Sequence, residues 1–171
     1  MKDLPVITKI LPRDIDTLWI ACSGGLDSVF AAQYFNRTRD IGIVYFNHGT
    51  PYADEAEKFV AKLALDMGVP FTRGKIQGTP QRGQSLEEFW RNERYEFLDA
   101  IGPAVVTAHH LDDAVETWVW SSCHGKPTLP HLVKGNIYRP FMACKKEAKR
   151  DTLTRTGMIW IEDPSHKNTD Y

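Results

Sequence analysis

Ser23-Gly24-Gly25-Leu26-Asp27-Ser28 lies between a short apolar run, Thr17 to Cys22, and an amphipathic segment that begins at Ser28. A strand, a glycine turn and a helix start in that order make a phosphate cradle. Glycine lets the backbone bend sharply and approach a ligand, and the free N–H groups at a helix start attract an anion. A plainer reading is a Gly-Gly turn in which Asp27 or Ser28 caps the helix. A Walker A loop would end in Gly-Lys-Ser/Thr, and a dinucleotide-binding turn would show G-x-G-x-x-G. This segment has neither pattern.

A second constellation runs from Thr107 to Thr117 and carries His109, His110, Asp112, Asp113 and Glu116 where a strand gives way to a helix. Asp113 and Glu116 could simply open that helix, since acids in a first turn favour its dipole. Three or four residues apart, however, Asp112 or Asp113 and Glu116 share a helical face. Their hard oxygens suit Mg2+ carried on ATP, or an incoming amine. Arg94 falls within the apolar stripe Leu86, Trp90, Phe97 and Ile101 of another helix, so it needs a carboxylate or a bound phosphate as partner. His48 ends a strand near the cradle, where a structural role competes with nucleotide contact. Trp118 and Trp120 point to opposite sides of their helix, and both read as packing.

These residues need a frame. Strand-like runs recur at Thr17 to Cys22, Ile41 to Phe46, Val69 to Ile76, Ala104 to Ala108 and Met158 to Ile161, with helical patterns between them. The alternation predicts an α/β fold: a doubly wound, mainly parallel five-stranded sheet with helices on both faces. Ala53, Ala56, Phe59, Val60, Leu63, Ala64 and Met67 keep helical spacing until Gly68 and Pro70 stop it. Ser85-Leu86-Glu87-Glu88 is a capping box opening a helix that runs to about Ala100. In such sheets ligands bind beyond the carboxyl ends of the strands. That is where Ser23 to Ser28, Asn47-His48-Gly49 and His109 to Glu116 fall.

Composition narrows the classes. The chain has 171 residues and 42% apolar content, enough for one core, so 1–171 reads as a single domain. No leader or membrane-length apolar run is evident, so a soluble cytoplasmic protein is expected. Cys22, Cys123 and Cys144 are too scattered for a zinc site or a disulfide framework. A net charge of −1 gives no global pull toward nucleic acid. Any RNA contact must be local, and Lys145, Lys146, Lys149, Arg150 and Arg155 form the one dense basic cluster, either a solvated helix face or a phosphate contact.

The first loop resembles the S-G-G-x-D-S signature of the N-type ATP pyrophosphatases, the PP-loop enzymes of the adenine nucleotide alpha hydrolase-like fold. Taken in order, six segments are similar to the catalytic domains of the tRNA(Ile)-lysidine synthetases. These are Ile20 to Ser28, Val44 to Gly49, Ser85 to Leu98 with Arg94-Tyr95, Ala108 to Thr117, Arg139-Pro140-Phe141, and Glu162-Asp163-Pro164-Ser165. The resemblance implies an ATP-dependent ligase acting in tRNA modification. The C2 oxygen of the wobble cytidine of tRNA(Ile), with its CAU anticodon, attacks the ATP α-phosphate, and lysine then displaces AMP.

It further implies that Ser23, Gly24, Gly25, Asp27, Ser28 and His48 hold ATP and that Asp27, Arg94, Asp113 and Glu116 are catalytic. His109, His110, Asp112, Arg139, Glu162 and Asp163 would contact substrate. Mg2+ would be held through Asp27 or Asp113 rather than by a protein-only cage. Two departures stand out: Ser122 to Pro127 replaces the family's Arg-Gly-Ser/Thr-Gly turn, and His166 stands where the family has asparagine. The family continues beyond the equivalent of Tyr171 into domains that grip tRNA, which leaves open a homodimer or a partner subunit. A tRNA thiolation enzyme, a small-molecule ATP synthetase and a non-catalytic nucleotide- or RNA-binding module are the alternatives.

Overall fold

A computed structural model describes residues 4–162. Its sheet has six strands in the order β3-β2-β1-β4-β6-β5. They are β1 (Leu18–Ala21), β2 (Ile41–Asn47), β3 (Phe71–Lys75), β4 (Val105–Val106), β5 (Val133–Lys134) and β6 (Ile137–Tyr138). All neighbours pair in parallel except the β5–β6 hairpin at one edge. Five helices connect and cover them: α1 (Leu26–Phe35), α2 (Pro51–Met67), α3 (Leu86–Asp99), α4 (Leu111–Cys123) and α5 (Lys146–Arg155).

The central strands are buried on both faces, which is why they read as apolar runs. Along β1, Leu18 and Ile20 enter the larger core with Ile41, Ile43 and Tyr45 of β2. There they meet Val29, Phe30 and Phe35 of α1, Val60 and Leu63 of α2, and Leu153 of α5. Phe141 closes this core edge-on against Phe30 and Phe35, with centroids 5.5 and 5.6 Å apart. On the opposite face Val44, Val105 and Ile137 pack on Leu98 of α3, with Trp19 and Phe97 beside them. Period-two alternation thus sends successive β1 residues to different helix layers.

Local signals set the helix ends. Thr50 accepts the Ala53 N–H at the start of α2, and Gly68 ends it in a left-handed conformation at φ 68°. The Ser85 hydroxyl accepts the Glu88 N–H at the start of α3.

Two expectations change. Met158 to Ile161 is not a strand; it crosses the first loop, with the Ile161 N–H bonded to the Gly24 carbonyl at 3.0 Å. The place beside β4 belongs to Ile137–Tyr138, and with the hairpin partner Val133–Lys134 the sheet has six strands rather than five. The order places β4 on the other side of β1 from β2, so the connections after β1 and β4 part there and leave a crevice at their carboxyl ends.

Candidate active site

That crevice is a cleft of about 680 Å³. Among its lining residues are Ser23, Gly25, Asp27, His48, Arg94, Tyr95, His109, His110, Asp113 and Glu162. The loops after β1, β2 and β4 therefore meet in one space, as their placement at strand ends requires.

The first loop is built from within. The Ser23 N–H donates to Ser28 Oγ at 3.1 Å, and the Ser28 hydroxyl donates to the Gly25 carbonyl at 2.9 Å. Ser28 is thus a brace of the turn. Gly24 has φ +87°, and a Cβ there would lie 2.8 Å from Cδ1 of Ile161 and 3.1 Å from Cδ1 of Phe59. Among the described residues no side chain caps α1 behind Gly25, an arrangement that suits an anion at its first-turn N–H groups.

Asp27, in that first turn, is clasped from two other helices. Lys149 of α5 forms an ion pair with its Oδ1, and His110 Nε2 lies 3.5 Å from its Oδ2. Burial alone would raise the Asp27 pKa, but the hydrogen bonds and charges of His110 and Lys149 outweigh it and hold the carboxyl below the usual carboxylate range. His110 also starts α4. Its Nδ1 accepts the Asp112 N–H at 3.2 Å, while its own backbone N–H donates to Asp113 Oδ2 at 2.7 Å. Since Nδ1 accepts, Nε2 carries the proton and faces Asp27.

The opposite wall is cationic. Arg94 is half-buried and, among the described residues, makes no ion pair with a carboxylate. Burial first, and then Arg91 and Arg139, lower its pKa from the ordinary arginine value. Arg139 is buried; it donates to the His131 carbonyl at 2.6 Å and to the Tyr95 hydroxyl at 3.0 Å. Burial alone would raise the pKa of that phenol, but this hydrogen bond and the charges of Arg139, Arg94 and Arg91 bring it below its ordinary value. His109, with Nδ1 2.9 Å from Thr107 Oγ1, is pushed down to about 4 by burial and then by Arg139, against the pull of Asp113. Burial and Arg94 push His48 to about 4 as well.

The remaining candidates lie around this centre. Glu116 is exposed one turn beyond Asp113, and Asp112 is exposed at the α4 start. Arg139 stands behind Tyr95 rather than lining the cleft. Glu162 lines the cleft, whereas Asp163 lies outside the described residues.

Lys149 departs from the solvated-face reading of the basic cluster, being 0% exposed, while its neighbours Lys146 and Arg150 line the cleft. Its spacing from Thr152 and Leu153, three and four residues on, is the signal that it faces inward. Asn47 is a second residue that sequence reasoning undervalued. Buried at the end of β2, it donates to Asp54 and Glu57 and accepts the Gly49 N–H at 2.8 Å, shaping the turn that carries His48. Trp118 and Trp120 are not packed inside; they are 50% and 66% exposed.

The model of the PP-loop domain family matches residues 5–171. The chain belongs to that family. Among curated relatives, this PP-loop chain is 31% identical to a Thermus thermophilus tRNA(Ile)-lysidine synthase over 95% of its own length and 34% of the relative's. It is 33% identical to the Methylococcus capsulatus enzyme of that name, over 91% and 39%. For the Haemophilus ducreyi enzyme the figures are 28% identity, 96% and 41%. The PP-loop chain thus spans well under half the length of these relatives. In overall fold it is similar to an NH3-dependent NAD synthetase from Campylobacter jejuni, with a TM-score of 0.59 and 12% identity over 88% of this chain and 68% of that one. It is also similar to a phosphoadenylyl-sulfate reductase from Candida auris, with a TM-score of 0.54 and 13% identity over 90% and 77%. These two likenesses concern the fold alone.

Proposed function

We propose that this domain carries out the lysidine reaction. The C2 oxygen of the wobble cytidine of tRNA(Ile) attacks the α-phosphate of ATP and pyrophosphate leaves. The ε-amine of lysine then attacks C2, AMP departs, and the amine gives up a proton. The observation that carries this reading is the meeting of Asp27, Arg94 and Asp113 at one cleft in a chain akin to lysidine synthases over 91% to 96% of its length.

In this reading the open N-terminus of α1, with Lys146 and Arg150, receives the departing pyrophosphate. Arg94, a cation that no carboxylate among the described residues neutralises, meets the charge developing on the α-phosphate. Asp113 and Glu116 hold the lysine ammonium and accept its proton. Asp113 uses only Oδ2 in its cap, so Oδ1 remains as a hard oxygen donor, whereas both oxygens of Asp27 are engaged. Mg2+ brought with ATP therefore fits Asp113 better than Asp27. When bound, it would supply charge neutralisation on the phosphates.

Sulfur transfer has less support. Burial pushes up the pKa of the Cys22 thiol, disfavouring thiolate, and the exposed Cys123 sits ten residues beyond Asp113, about 15 Å along α4. The deciding experiment incubates the protein with ATP, Mg2+, lysine and unmodified tRNA, followed by digestion and mass spectrometry. Lysidine is expected, and its formation should fail with Glu116→Gln. Pyrophosphate release that RNA stimulates without lysidine would remove lysine as the acceptor, and no release at all would overturn the reading.

A further inference from the structure

The side of α4 that begins at Asp113 continues away from the cleft through Glu116, Trp120 and His124. At 3.6 residues per turn these positions stay on one side of the helix. Trp120 lies two turns, about 10.5 Å, beyond Asp113. Its indole stacks on the imidazole of His124, with centroids 4.1 Å apart and planes 25° from parallel. The stack is fixed, because His124 Nδ1 lies 2.8 Å from the Trp120 carbonyl, which can only accept, so Nδ1 donates. Yet Trp120 remains 66% exposed. A flat aromatic surface is therefore held open on α4, two turns beyond the cleft residue Asp113, with little side-chain entropy left to lose on binding.

Positive charge gathers at the cleft itself. Arg91, Arg94 and Lys134 gather over the ring of Tyr95, at 5.7, 5.6 and 5.4 Å from its centroid, and Tyr95 lines the same cleft. Among the described residues none of the three forms an ion pair with a carboxylate. Exposed aromatic faces beside a cationic track are what a single-stranded nucleic acid needs, bases stacking on the rings while phosphates meet the cations. A protein partner would instead favour the separate apolar groove of Leu111, Val115, Trp118 and Leu129, since Trp118 lies about 200° around α4 from Trp120.

We propose that the Trp120–His124 stack receives an unpaired base of the RNA substrate, with Arg91 and Lys134 meeting its backbone. The inference rests on the tRNA reading above and deepens it.

The test measures binding of an anticodon stem-loop RNA with a CAU loop, in the presence of ATP and absence of lysine, to the full chain and to Trp120→Ala and Trp120→Phe. Thermal stability and ATP affinity are measured alongside as checks on folding. Trp120→Ala should weaken RNA binding roughly ten- to a hundredfold, the loss of one stacked base. Trp120→Phe should stay within a fewfold of wild type. Equal RNA affinity in wild type and Trp120→Ala would overturn the proposal while leaving the tRNA reading standing. A wild type that binds no RNA would overturn both. A change in oligomeric state with unchanged RNA affinity would assign the stack to a protein contact instead.

Discussion

Lys149 of α5, fully buried, forms an ion pair with Asp27 in the first turn of α1, whose side chain is 24% exposed toward the cleft. The two partners are unequal in their surroundings, and so are the consequences of removing them. Asp27→Asn leaves a fully buried ammonium without its carboxylate partner, a loss of about 3 kcal/mol or more. Lys149→Met leaves a carboxylate that still has His110 and reaches solvent, and should cost about half as much. The double variant should be more stable than Asp27→Asn alone. Urea unfolding of the three proteins checks the order; a double variant no better than Asp27→Asn would refute the pairing as the cause.

Much of this arrangement was legible in the residues and some was not. The turn between β1 and α1 was legible because two glycines between an apolar run and a helix start mark a sharp bend, and α2 and α3 carried their own start and stop signals. Lys149 was hidden because a lysine in a basic cluster ordinarily points to water. Only the partner, more than a hundred residues away in sequence, makes its burial tolerable. Met158 to Ile161 has the composition of a strand, but Ile161 spends its backbone on Gly24 instead of on a neighbouring strand. Ile137–Tyr138 takes the position in the sheet, and a two-residue strand leaves no periodicity to read. The tryptophans of α4 were misread for a related reason: helical spacing says which residues share a side, but not whether anything covers it.

Gly24 and Gly25 should separate stability from binding. Gly24→Ala places a methyl group against Ile161 and Phe59 in a left-handed backbone, and should destabilise by about 1–3 kcal/mol. Gly25 has φ −72°, and its added Cβ would come no closer than 3.6 Å to Ser23 Oγ. Gly25→Ala should therefore fold normally while weakening ATP, because the methyl group occupies the approach to the α1 N-terminus. Thermal melts together with ATP titrations distinguish the two; a destabilised Gly25→Ala with normal ATP affinity would contradict this.

Acid should weaken the fold through two partly buried histidines. His48 and His109 titrate at about 4 in the folded chain, against an ordinary value of 6.5 when unfolded. Between those values the unfolded chain binds protons that the folded one excludes, so stability is complete above about pH 6.5 and falls as the pH drops toward 4. Replacing His109 with Gln should flatten part of that decline. Denaturant midpoints at pH 7 and pH 5 test this, and the idea fails if the variant loses as much between them as the parent does.

Arg94 and Glu116 should behave as residues kept for chemistry. Arg94 carries its charge half-buried without a carboxylate partner among the described residues, so Arg94→Ala should leave thermal stability unchanged or slightly raised while lowering RNA-dependent pyrophosphate release at least a hundredfold. Glu116 is exposed and supports no cap, so Glu116→Gln should leave stability unchanged and impair the amine step selectively. Asp113→Asn differs from both, because Oδ2 accepts the His110 N–H at the start of α4. It should lose about 1 kcal/mol of stability along with activity. Measuring melting temperature, pyrophosphate release and lysidine yield for all three separates charge at the phosphate from handling of the amine. The division of roles would be wrong if Glu116→Gln abolished pyrophosphate release as completely as Arg94→Ala.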